Sequence, residues 1–97
     1  MLNENLNNTI TEYFKDRGVR KITIFGSYAR GDQVESSDID IIIEPARPFS
    51  LLDLVRMERE LSERLGEKVD LLTEKSISPL MMDAIEKDKV IMYDLSR

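Results

Sequence analysis

Asp38 and Asp40 stand two apart in Asp38-Ile39-Asp40-Ile41-Ile42-Ile43-Glu44, a run whose isoleucines read as a β-strand. Alternate strand residues point to one face, so the two carboxylates project together, about 6.5–7 Å apart along the strand. Ile39, Ile41 and Ile43 then face the other way, into a core. The spacing lets the acids share one metal ion or bridge two. Like charges this close repel, and each resists ionisation unless a cation compensates. An isolated Asp-x-Asp is more often a solvated strand end, so the pair alone does not decide.

Gly26-Ser27 follows directly on another β-prone run, Lys21-Ile22-Thr23-Ile24-Phe25. A glycine there lets the backbone turn sharply and approach a ligand with no Cβ in the way. The Ser27 hydroxyl and the amides after it can donate to phosphate oxygens, particularly if Tyr28-Ala29-Arg30 opens a helical turn. Arg30 could add a fork of donors, or could simply be solvated on a surface loop. Gly31 frees the chain to turn back toward the second strand. Alone, this is also how an ordinary strand-loop-strand connection looks. The two features gain weight together, as a phosphate-holding turn beside a pair of metal-holding acids.

Composition narrows the chemistry further. The chain has neither histidine nor cysteine. This removes Ser-His triads, imidazole acid-base chemistry, thiolate sites and disulfides. Any metal must be held mainly by oxygen, which points to magnesium, calcium or manganese. The net charge of -5 argues against non-specific binding to duplex nucleic acid, which relies on counterion release from phosphates. A nucleotide in a local pocket remains compatible. No run of about 18 apolar residues predicts a membrane span, and no secretory leader is visible, so the cytoplasm is expected.

The elements that must position these residues are legible around them. Leu2, Leu6, Ile10, Tyr13 and Phe14 recur at helical spacing, predicting a helix from about Asn3 to Asp16 with Gly18 as its stop. Strands are expected over Lys21–Phe25, Asp38–Glu44 and Lys68–Leu72, with a short edge strand at Val90–Tyr93. Ser50 and Asp53 form a capping box for a helix that ends at Gly66. Its stripe Leu51, Leu54, Met57, Leu61 and Leu65 reads as core packing. Ser78-Pro79 supplies a cap and a first-turn proline for a last helix through Ile85. Met81 and Met82 are expected to fill the core, or else to line an interface. Ninety-seven residues fit one domain, residues 1–97. The element order implies an α/β (α+β) fold with helices packed on a sheet.

Gly26-Ser27, ten intervening residues, then Asp38-Ile39-Asp40 resembles the signature of the nucleotidyltransferase superfamily related to DNA polymerase beta. Phe25-Gly26-Ser27-Tyr28-Ala29-Arg30-Gly31 with Ser37-Asp38-Ile39-Asp40 is similar to its minimal nucleotidyltransferase (MNT) branch. The resemblance implies a small mixed β-sheet with nucleotidyltransferase-like architecture. It also implies a third carboxylate from a later strand, and Asp70 in Val69-Asp70-Leu71-Leu72 sits where that residue belongs. A carboxylate inside an apolar strand is costly unless paired or metal-bound; a salt bridge to Lys68 or Arg64 is the alternative. One departure is the acidic loop Asp32-Gln33-Val34-Glu35-Ser36-Ser37, where related chains often carry a basic residue.

By the same resemblance, Asp38, Asp40 and Asp70 would be catalytic and hold one or two magnesium ions, with Gly26, Ser27 and Arg30 binding the nucleotide. Many MNT chains pair with a helical HEPN-family toxin and act as its antitoxin. The implied reaction moves AMP from ATP to a hydroxyl of that partner, expected to be a tyrosine. A binding-only antitoxin with little turnover is the alternative. A transferase for small molecules, as in aminoglycoside-modifying enzymes, fits less well because those chains are longer and bring their own acceptor site. Both a homodimer and a hetero-oligomer are compatible with so small a chain.

Overall fold

The computed structural model describes residues 4–32 and 38–95. The readings made for Leu2, Asn3 and most of the acidic loop, including Ser37, lie outside the described residues. In chain order the elements are α1 (Glu4–Lys15), β1 (Val19–Phe25), the single turn α2 (Ser27–Arg30) and β2 (Ile39–Pro45). There follow α3 (Leu51–Leu65), β3 (Val69–Thr73), a short 3-10 turn (Glu74–Ser76), α4 (Pro79–Asp88) and β4 (Val90–Asp94). The strands form one sheet in the order β3-β2-β1-β4. β1 is antiparallel to both β2 and β4, whereas β2 and β3 run parallel. Parallel neighbours need a long crossover, and α3 provides it. The sheet is therefore mixed, as expected.

The alternation of β2 decides which face is core. Ile39, Ile41 and Ile43 are fully buried. They join Ile22 and Ile24 of β1 and Val69 and Leu71 of β3 against Ile10, Tyr13 and Phe14 of α1 and Met57 and Leu61 of α3. Burial of such side chains stabilises the fold by about 1.5–3 kcal/mol each. Asp40, Ile42 and Glu44 consequently occupy the opposite face. There α4 covers only part of the sheet, with Met82 and Ile85 near Thr23 and Ile42. α1 is also fixed to α3 by polar contacts: the Tyr13 hydroxyl donates to Glu60, and the Arg17 guanidinium just beyond α1 lies 3.8 Å from the same carboxylate.

Two apolar residues depart from the sequence expectation. Leu51 is 76% exposed, although Met57 and Leu61 of the same stripe are buried and Leu54 and Leu65 partly so. As the first residue of α3 its side chain leans toward the N-terminus, off the end of the packed surface. Met81 is 44% exposed and does not fill the core, because α4 is short and buries only Ile85. β1 also begins earlier than expected, at Val19. Its opening residues are held by the chain's far end, where the Leu95 amide donates to the Arg20 carbonyl at 2.7 Å.

The capping box is complete: the Asp53 amide donates to Ser50 Oγ at 3.1 Å, and the Ser50 amide to Asp53 Oδ2 at 3.0 Å. With α3 so started, two of its side chains reach the outer edge of β3. Glu58 accepts from the Leu71 amide at 2.8 Å, and Ser62 Oγ from the Val69 amide at 3.0 Å. An exposed strand edge is thereby sealed. The residue between these anchors is Asp70, so its position along the sheet is set by α3.

Candidate active site

Register brings the expected acids together. Phe25 of β1 lies opposite Asp40 of β2, and Asp40 lies opposite Asp70 of β3. Cross-strand partners share a face, so Asp40 and Asp70 stand side by side on the face opposite the core. Asp38 precedes β2 by one residue, close enough for its charge to act on Asp40. Asp70 is exposed, not buried in the sheet as its apolar neighbours suggest. β3 is an edge strand, and Asp70 projects from the face opposite the core. Its anticipated partners are engaged elsewhere. Lys68 Nζ lies 3.8 Å from Asp38, and the Arg64 guanidinium sits over Tyr13.

The glycine turn meets this group directly. Gly26 adopts φ 76 and ψ -154, and Gly31 closes α2 in a left-handed conformation. A Cβ placed on Gly26 would collide with the Asp40 carboxylate. The glycine is thus needed twice, for its backbone angles and for the space that Asp40 fills. Ser27 begins α2 immediately beyond it, and Tyr28 is buried beneath. Arg30 is not free to fan out over the site. Its Nε donates to Asp32 and its Nη1 to Asp88 at the end of α4, each at 3.2 Å. A groove of about 210 Å³ opens beside the turn, lined by Phe25, Gly26, Arg30, Met81, Ala84 and Ile85. Two wider hollows of about 410 Å³ lie along α1 and α3, and neither they nor the groove beside the turn is lined by any of the three aspartates. Chemistry and not volume selects the site.

Asp40 is the electrostatic centre of the group. Burial, then the charges of Asp70 and Asp38, push its carboxyl up to about 6, with Arg30 acting in the opposite direction. A raised folded-state value means that the folded chain binds this proton more tightly than the unfolded chain between pH 3.8 and about 6. The contribution is fully present below the unfolded value and lost as pH rises through the folded one. Unfolding free energy should therefore decline across that interval through this group, and Asp40→Asn should abolish that component. Urea unfolding from pH 4 to 8 checks the sign.

The donor set consists of oxygens alone, with Asp40 and Asp70 on one face and the charge of Asp38 acting on Asp40. By type and charge it fits a hard divalent cation. Among the described residues no three such groups converge closely enough to hold one as they stand. Rotation of the side chains, and release of Asp38 by Lys68, would be required.

Residues 8–97 match the family described as polymerase beta, nucleotidyltransferase. The chain belongs to this nucleotidyltransferase family. A protein of Methanocaldococcus jannaschii named as a protein adenylyltransferase is 55% identical over 73 residues, spanning 75% of this chain and 78% of its own. A crystal structure described as a toxin–antitoxin with AMP-PNP superposes with a TM-score of 0.83 at 26% identity, over 91% of this nucleotidyltransferase and 73% of that chain. A tri-AMPylated HEPN toxin in complex with an MNT antitoxin, from Shewanella oneidensis, contains a chain with TM-score 0.77 at 22% identity, covering 94% and 71%. At that identity the likeness speaks for the fold.

The contributions of Asp88 and Lys68 to this site were not anticipated from the sequence. Asp88 carried one signal that could have been read: an acid at a helix C-terminus opposes the helix dipole and calls for a cationic partner.

Proposed function

We propose that this nucleotidyltransferase moves AMP from ATP to a hydroxyl, a tyrosine in particular, of a partner HEPN toxin and so acts as its antitoxin. One observation carries the reading. Asp40 is held between Phe25 and Asp70 in the sheet, with its carboxylate against the Gly26 turn. This arrangement sets the Gly26 bend beside Asp40, with Asp70 opposite it and the charge of Asp38 acting on it, which supports a shared phosphate and metal site. Two comparisons support it: the relative named as a protein adenylyltransferase, and the toxin–antitoxin structure determined with AMP-PNP.

In the proposed reaction Gly26 lets the triphosphate approach the backbone, and Ser27 donates to its oxygens. Asp38, Asp40 and Asp70 would hold magnesium, which when bound neutralises phosphate charge and the charge of the departing pyrophosphate. Asp70, the exposed member, accepts the proton of the attacking hydroxyl. The acceptor oxygen bonds to the α-phosphorus as its bond to the pyrophosphate oxygen breaks, leaving AMP on the partner. Positioning and charge compensation suffice for such a transfer, and histidine is not needed. Among the described residues no helix is long and apolar enough to cross a membrane. We place the reaction in the cytoplasm, where ATP is available.

The test uses the partner and ATP labelled in either the α- or the γ-phosphate, with magnesium. Label from the α-position alone should reach the toxin and neutralise it. Neutralisation without ATP and without label would instead favour the binding-only antitoxin.

A further inference from the structure

Arg30 has an unusual setting for a residue expected on a surface loop. It belongs to a single helical turn, which is too short to orient a long side chain by itself. Two carboxylates do so from opposite sides, Asp32 through Nε and Asp88 through Nη1. Asp88 is the last residue of α4, distant in sequence but brought beside the glycine turn. An acid in that position faces the partial negative charge of its own helix end, an arrangement that lowers helix stability. It is offset here by the guanidinium of another element.

The pairing uses two of the five N–H donors of Arg30 and leaves the others for a ligand. Its charge also reaches Asp40, whose proton affinity it lowers. We infer that Asp88 is a positioning residue: it reaches from α4 to fix the Arg30 guanidinium at the mouth of the site, ready to receive a nucleotide phosphate. The inference rests on the proposed nucleotidyl transfer and adds α4 to the machinery. Fixing the fork in advance removes ordering that binding would otherwise have to supply.

The experiment measures ATP affinity of the full chain by calorimetry, with kcat and KM for transfer to the partner and the thermal midpoint. Asp88→Asn should weaken ATP binding about three- to fivefold, the range of an exposed ion pair. The effect should fall on KM for ATP and leave kcat nearly unchanged. The thermal midpoint should hold or rise, because a charge has left the unfavourable helix end. Asp88→Glu should restore most of the affinity. Unchanged or tighter ATP binding in Asp88→Asn, with transfer intact, would overturn the inference and leave the proposed reaction standing. Failure of the wild type to bind ATP would overturn both.

Discussion

Asp40→Asn is expected to reduce AMP transfer about a thousandfold or more, while the chain still folds and still binds its partner. Asparagine has nearly the shape of aspartate, so the contact with Gly26 and the packing at the end of β2 should survive. What it lacks is the charge. Asp40 lies opposite Asp70 and within reach of the charge of Asp38, and its loss removes the acid on which both act. The same substitution relieves repulsion between like charges and the burial of a carboxylate. Stability above about pH 6 should therefore rise as activity disappears. A residue that served only the fold would give a different pairing, with losses in both. Single-turnover transfer with α-labelled ATP and urea unfolding at pH 7.5 measure the two quantities. Transfer within tenfold of wild type would remove Asp40 from the proposed role.

The part of this site that was legible in the sequence is the part fixed by local geometry. The two-residue period of a strand puts Asp40 on one side and Ile39, Ile41 and Ile43 on the other, and the isoleucines are fully buried. Capping chemistry placed the starts of α3 and α4 at Ser50 and Ser78, where their side chains accept the expected amides. What escaped depends on strand order and on contacts between distant elements. Asp70 looked buried because its neighbours Val69, Leu71 and Leu72 are apolar, yet it lies on the face of an edge strand opposite the core and is exposed. Arg30 could be assigned a role from its place after Gly26, but its hold by Asp88 required α4 to fold back beside the turn. Leu51 fitted an apolar pattern and is exposed, since periodicity gives a helix face and not the extent of the surface that meets it.

Gly26→Ala should impair both folding and transfer, and a second glycine separates the causes. Gly26 and Gly66 both have positive φ, 76 and 68. Alanine at Gly66 meets open space and ordinary left-handed angles, with ψ 20. It should cost about 1–2 kcal/mol of stability and leave transfer within a fewfold of wild type. At Gly26 the ψ of -154 lies in a region almost reserved for glycine, a backbone cost of about 1–3 kcal/mol. With about 4–8 °C lost per kcal/mol in a domain of this size, the midpoint should fall by roughly 5–20 °C. The added methyl must also displace the Asp40 carboxylate, because that side chain occupies the space. Displacement by about an ångström at a reacting centre costs about a hundredfold in rate, a loss that backbone strain alone does not produce. The comparison is made well below both midpoints, where each variant is folded. Equal transfer by the two alanine variants there would mean that the close approach of Gly26 and Asp40 has no part in catalysis.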